Sequence, residues 1–178
     1  MNHNYGLTIV KDYPIKGVNF IDINGLLASP QYFTQIIEKF CQTVQSNLPA
    51  DILQQAAIIT PESRGFVFSA PVAAKLGLPL LLIRKNGKIP NNPYSFRITN
   101  EYSTYNMEMD GDLLAKHNHF IYIDDILATG QTLASVRQAV GKKGKEVVLA
   151  IHLTAVADLK AMRDGNADLQ GLPTKEII

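Results

Sequence analysis

Apolar residues fall along this 178-residue chain in two patterns. After Pro30, the stretch YFTQIIEKFCQTVQSNL sets Phe33, Ile36, Ile37, Phe40 and Val44 three and four positions apart. That spacing lines one face of a helix, and Ser29 just before it is a residue type that caps helix starts. Elsewhere the apolar positions run almost without a break: AAIIT at 56–60, LPLLLIR at 78–84, HFIYID at 119–124 and EVVLAIHLT at 146–154. Such short runs predict strands covered on both faces. Between them, FVFSAPVAAKLG and TLASVRQAVGKKG read as helices, each closed by a glycine. The stretch 94–109, YSFRITNEYSTYNMEM, mixes β-branched and aromatic residues with weak alternation, and reads as an antiparallel excursion or a mobile flap.

Strands alternating with helices predict an α/β fold: a parallel sheet flanked by helices, in a single domain over 1–178. In such sheets ligands bind beyond the carboxyl ends of the strands. Here those ends carry PESRG, RKNGK and DDILATGQT.

Composition narrows the partners. With 46% hydrophobic and 19% charged residues, the chain can build a core without staples. A formal net charge of +1 argues against a broad basic surface, so no nucleic-acid partner is expected. The single cysteine, Cys41, lies in the apolar pattern of the helix after Pro30 and reads as packing; no internal disulfide is possible, which fits a reducing compartment. No apolar run of about 18 residues exists to span a membrane. The N-terminus lacks the basic and apolar segments of a signal peptide, so a cytoplasmic location is expected.

The stretch Asp124-Asp125-Ile126-Leu127-Ala128-Thr129-Gly130-Gln131-Thr132 carries the most chemistry. A small loop entering a helix offers backbone N–H groups, hydroxyls and the positive end of the helix dipole, which together suit a phosphate dianion. It lacks the lysine of the common nucleotide-binding loop. Two carboxylates one short turn away can accept hydrogen bonds from sugar hydroxyls. The stretch therefore reads as a pentose 5-phosphate cradle.

IYIDDILATGQT resembles the ribosyl-phosphate signature of the type I phosphoribosyltransferases. DYPIKGVNFIDINGLLASPQYF, TPESRGFVFSAPVAAKLGLPLLLIRKNGKIP and EYSTYNMEM resemble, in order, the N-terminal, pyrophosphate and flap segments of the adenine branch of that family. The resemblance spans roughly residues 12 to 150. It implies transfer of ribose 5-phosphate from 5-phosphoribosyl 1-pyrophosphate to adenine, giving AMP and pyrophosphate in purine salvage. Another purine as acceptor, and a non-catalytic sensor of the sugar pyrophosphate, are the alternatives. It also implies a hood over about 1–30, a lid over about 94–109, a homodimer, and Mg²⁺ held mainly through the substrate, with no dedicated protein cage. By residue, it implies pyrophosphate contacts from Ser63, Arg64, Arg84, Lys85 and Lys88, and base contacts from Asn19, Phe20 and Ile21. Glu108, on the lid, is expected to handle the purine proton, with Arg64 also catalytic. Ala128 stands where the hypoxanthine and guanine enzymes carry an aspartate, which points to adenine. The chain departs from the family pattern at Asn19, Ile21, Asn24-Gly25, Ser103, Tyr105 and Gln131.

Overall fold

A computed structural model of the chain describes residues 4–99 and 104–178. The middle of the expected lid, including Ser103, lies outside the described residues.

The N-terminal hood is a small antiparallel pair, β1 (Thr8–Val10) and β2 (Phe20–Asp22), with Val10 opposite Phe20, followed by a single helical turn, α1 (Asn24–Leu27). Next comes α2 (Pro30–Asn47), with Pro30 at its first position and the Ser29 hydroxyl accepting from Tyr32 N–H at 3.3 Å. It buries Ile36, Ile37, Phe40, Cys41 and Val44, the face expected from their spacing. A short α3 (Ala50–Gln55) leads into β3 (Ala56–Pro61), then α4 (Phe66–Leu76), closed by Gly77 at φ +67°, and β4 (Leu80–Lys85). The hairpin β5 (Pro93–Thr99) and β6 (Thr104–Asp110) precedes α5 (Gly111–Lys116), β7 (His119–Leu127), α6 (Gln131–Gly141) and β8 (Glu146–Ala155). The chain closes with α7 (Lys160–Asp164), flanked by single 3-10 turns at 157–159 and 167–169, and β9 (Thr174–Glu176).

The main sheet runs β5-β6-β4-β3-β7-β8-β9. The five strands from β4 to β9 are parallel, while β6 pairs antiparallel with both β4 and β5. Side chains alternate across the parallel strands. Ile58, Ile121, Ile123, Leu149 and Ile151 pack with Phe40, Phe68 and Val72 of α2 and α4. Ala57, Ile59, Phe120, Tyr122 and Ala150 pack on the other side with Val136, Ala139 and Val140 of α6. Both faces are covered, so each strand interior reads as a continuous apolar run, and each buried Ile, Leu or Phe contributes about 1.5–3 kcal/mol. The charged side chains on these strands gather at their carboxyl ends, and there the site forms.

Candidate active site

Asp124 and Asp125 end the buried part of β7, next to the loop that follows β3. Both are nearly inaccessible, at 8% and 5% exposure. Asp124 accepts from Ser63 Oγ at 2.6 Å and from its neighbour's N–H at 2.9 Å through Oδ1, and from Tyr122 Oη at 3.0 Å through Oδ2. Burial, and then the charge of Asp125, push the Asp124 pKa above the ordinary carboxylate range. Burial and the Asp124 charge raise that of Tyr122 as well, so its hydroxyl stays a donor. Asp125 Oδ2 lies 2.6 Å from Arg64 Nε but has no partner in hydrogen-bond geometry: an ion pair off the donor axis, with lone pairs to spare.

Arg64 thus sits at the centre of the edge. Its Nη1 donates to the Ile21 carbonyl at 2.8 Å, and its guanidinium carbon lies 4.9 Å from the Phe20 ring centre. One side chain therefore links Asp125 to two of the three hood residues expected at the base, Phe20 and Ile21, and Phe20 is covered by a cation rather than open. Asn19, beside it, is exposed.

Helices α4 and α6 both begin at this edge. Each has a glycine N-cap, Gly65 or Gly130, no capping side chain and no acidic residue in its first turn. By contrast, α5 starts on Asp110, whose carboxylate accepts from two main-chain N–H groups. At α4 the first N–H groups are already taken, Phe66 by the Ser63 carbonyl, Val67 by that of Arg64 and Phe68 by that of Gly65. It is therefore the start of α6, where the Gln131 N–H makes only a long 3.5 Å contact to Thr129 Oγ1, that offers main-chain donors and a partial positive charge to an external anion. Gly65 is needed by proximity: a Cβ there would fall 2.6 Å from Asp124 Oδ1. Gly130 is needed by conformation, with φ +83°. Gln131, the first residue of α6, is not among the positive-φ positions, so its side chain costs the loop nothing. A cavity of about 100 Å³ runs along Ala128, Thr129, Gly130, Gln131 and Thr132 and is backed by Tyr122 and His152. Burial, then the Arg163 charge, hold His152 neutral, with a pKa of about 3.

Two of the four cations expected to bind pyrophosphate, Arg84 and Lys88, converge around a carboxylate that the sequence patterns did not mark. Glu62 pairs with Lys88 Nζ at 2.5 Å and Arg84 Nε at 3.1 Å, and accepts from Lys85 N–H at 3.0 Å. These contacts, that of Lys88 foremost, lower its pKa to about 2. Lys85 itself is exposed at the end of β4.

Glu108 is where the sequence expectation and the geometry part. It lies within the sheet, opposite Arg84 in the β4–β6 ladder, at 3% exposure. Its Oε1 accepts from the N–H groups of Lys88 and Ile89, the latter at 2.7 Å. Burial pushes its pKa up, but the amides of Ile89, Gly87 and Lys88 outweigh this and hold it below the ordinary value. The carboxylate shapes the turn that carries Lys88, and is not brought together with Asp124, Asp125 and Phe20. Residues 94–99 and 104–109 form the antiparallel excursion that the sequence suggested, paired as strands of the sheet.

Among the described residues, no group of three or more His, Cys, Asp or Glu side chains is placed to hold a metal ion. No helix among them is long and apolar enough to cross a membrane.

Two helix starts and a buried carboxylate pair meet at the carboxyl edge of a parallel sheet in an α/β fold. The phosphoribosyl transferase domain model matches residues 23–169. An adenine phosphoribosyltransferase of Ureaplasma parvum is 37% identical over 85% of this chain and 84% of its own length, and one of Roseiflexus sp. is 39% identical over 82% and 83%. The crystal structure of adenine phosphoribosyltransferase from Thermoanaerobacter pseudethanolicus superposes with a TM-score of 0.79 at 29% identity, covering 97% of this chain and 95% of that one. The chain belongs to the phosphoribosyltransferase family.

Proposed function

We propose that this protein joins adenine to 5-phosphoribosyl 1-pyrophosphate, giving AMP and pyrophosphate. The observation that carries the reading is the pairing of the bare α6 N-terminus with Asp124 and Asp125, in a chain whose relatives are named adenine phosphoribosyltransferases. The 5-phosphate lies against the main chain of Ala128–Thr132, and the ribose hydroxyls reach the carboxylates. Pyrophosphate lies against Ser63, Arg64 and the start of α4, with Arg84, Lys85 and Lys88 stabilising the charge that grows as the C1′–O bond breaks. Its arrival displaces Glu62 from Arg84 and Lys88. Adenine N9 bonds to C1′ from the opposite face, with inversion, and sheds its proton. Ala128 offers no side-chain acid for that proton, and Glu108 is occupied by the main chain. The remaining carboxylate of the segment 94–109 is Glu101, outside the described residues, and we assign the proton to it.

The donor set fits Mg²⁺ held through substrate oxygens and water, since Asp125 Oδ2, buried beside Arg64 without a hydrogen-bond partner, keeps acceptor capacity. When bound, the ion neutralises pyrophosphate charge. The hood reads the base largely through main-chain groups of Asn19, Phe20 and Ile21, once Arg64 releases the Phe20 face. A 6-oxopurine reverses donor and acceptor there, at about 1–3 kcal/mol for each unpaired group. A homodimer would cover the exposed apolar hood residues Ile9, Tyr13 and Ile15, and light scattering on the purified chain tests it. A cytoplasmic location follows from the pathway's substrates.

A panel of adenine, hypoxanthine, guanine and xanthine with phosphoribosyl pyrophosphate and Mg²⁺ tests the assignment. Adenine is expected to have the highest kcat/KM. A value for hypoxanthine or guanine at or above it refutes the base, and no nucleotide from any base turns the reading to a sensor.

A further inference from the structure

The chain after β8 packs behind the loop that follows β7. Arg163, half-buried on α7, directs Nη1 at three carbonyl oxygens: Val156 at 2.7 Å, Ala128 at 2.8 Å and Leu127 at 3.4 Å. Leu169 lies over Gly130, with Cδ1 2.5 Å from where a Cβ would stand, and Arg163 Cγ is 3.7 Å from the same point. The segment is itself tied to α6, with Arg137 donating to the carbonyls of Asp168 and Gln170 and Gln138 to the Asp168 carboxylate.

A peptide unit is planar and trans, so its C=O and N–H point in opposite directions. Holding the Ala128 carbonyl from behind fixes the direction of the Thr129 N–H, whereas the Leu127 carbonyl is already held by the Val156 N–H at 2.9 Å. The Thr129 N–H is thereby aimed away from Arg163, on the side opposite α7. A guanidinium on the carbonyl also polarises the peptide and strengthens its N–H as a donor. A Cβ at Gly130 would have to push the Leu169 methyl aside, and Leu169 limits that glycine's freedom.

We propose that Arg163 is a positioning residue for the 5-phosphate: it holds the peptide between Ala128 and Thr129 in the orientation that receives the dianion, with Leu169 packed behind Gly130. This rests on the sugar-phosphate site proposed above. It gives a role to the C-terminal segment, which sequence patterns left without one.

The test is calorimetric binding of ribose 5-phosphate and of pyrophosphate to wild type, Arg163→Ala and Arg163→Lys, with steady-state KM for both substrates and a thermal melt. Misdirected donors of this kind cost about 10–100-fold. Arg163→Ala is expected to lose that much affinity for ribose 5-phosphate, and to raise KM for phosphoribosyl pyrophosphate, with pyrophosphate affinity and KM for adenine unchanged. Arg163→Lys, which keeps one donor to the carbonyls, is expected to fall between, and added guanidinium ion at millimolar concentration to restore part of the loss in Arg163→Ala. Leu169→Ala gives a smaller loss in the same direction, and serves if Arg163→Ala does not fold. Ribose 5-phosphate binding to Arg163→Ala within twofold of wild type overturns the proposal, as does a loss spread equally over all ligands in step with Tm. Failure of wild type to bind ribose 5-phosphate overturns the underlying site instead, and the proposal with it.

Discussion

Replacing Asp124 by asparagine separates binding chemistry from stability, because the two move in opposite directions. The asparagine amide is the same shape as the carboxylate. Its oxygen can keep accepting from Ser63 Oγ and the Asp125 N–H, while its NH2 meets Tyr122 Oη, which can accept as well as donate. What disappears is a negative charge buried beside Asp125. The folded-state pKa of Asp124 is raised, so the native protein binds its proton more tightly than the unfolded chain. Below about pH 4, where the carboxyl is protonated in both states, the group costs nothing. As pH rises from there to the raised folded pKa, the unfolded state gains, and above it the full penalty is present. A tenfold change in proton affinity is worth about 1.4 kcal/mol. The rise at Asp124 exceeds one such step, so it outweighs the weakening of hydrogen bonds worth about 0.5–1.5 kcal/mol, and Asp124→Asn is expected to be net stabilising at neutral pH. In a chain of this size each kcal/mol gained is about 2–4 °C in Tm. Activity goes the other way, since a hydrogen bond from ribose to a charged acceptor is worth about 1.5–3 kcal/mol, or roughly 10–100-fold in kcat/KM. Thermal melts at pH 7 and pH 4, with steady-state rates at pH 7, check both. A lower Tm at pH 7 than wild type, or a Tm gain persisting undiminished at pH 4, refutes the reasoning.

Other expected outcomes follow from the same geometry. Glu108→Gln, which weakens the hold on the Lys88–Ile89 turn, is expected to raise KM for phosphoribosyl pyrophosphate more than it lowers kcat, whereas Glu101→Gln lowers kcat; steady-state kinetics of the two variants decides which carboxylate handles the proton. Glu62→Gln frees Arg84 and Lys88, so pyrophosphate is expected to inhibit at lower concentration than in wild type, and an unchanged inhibition constant would count against that ion-pair exchange. Gly65→Ala drives a methyl into Asp124 Oδ1, and a loss of about 1–3 kcal/mol in denaturant unfolding is expected along with lost activity.

The sequence was most informative where one physical demand acted alone. β3, β4, β7 and β8 must be apolar on both faces, so their runs are visible, and α2 shows its buried face by spacing. β1, β2 and β9 are three residues each and mostly exposed, so no pattern marks them. Asp124 and Asp125 on β7 stood out in the sequence because two adjacent carboxylates at the end of an apolar run have no packing use. The surroundings of Glu108 could not be read because they depend on strand register: pairing with Arg84 turns it inward onto the turn after β4, which local sequence does not encode. Glu62 went unnoticed in PESRG because its partners, Arg84 and Lys88, lie on the next strand end. Arg163 sits in a segment without periodicity, and only the folded chain shows the carbonyls it serves.

The most direct measurement is product formation from adenine and phosphoribosyl pyrophosphate by wild type and by Asp124→Asn/Asp125→Asn, followed by phosphorus NMR. Wild type should form AMP and pyrophosphate in equal amounts, and the double variant, folded by circular dichroism, should be slower by orders of magnitude. Wild-type turnover in the double variant, or no AMP from the wild-type protein, would contradict the account.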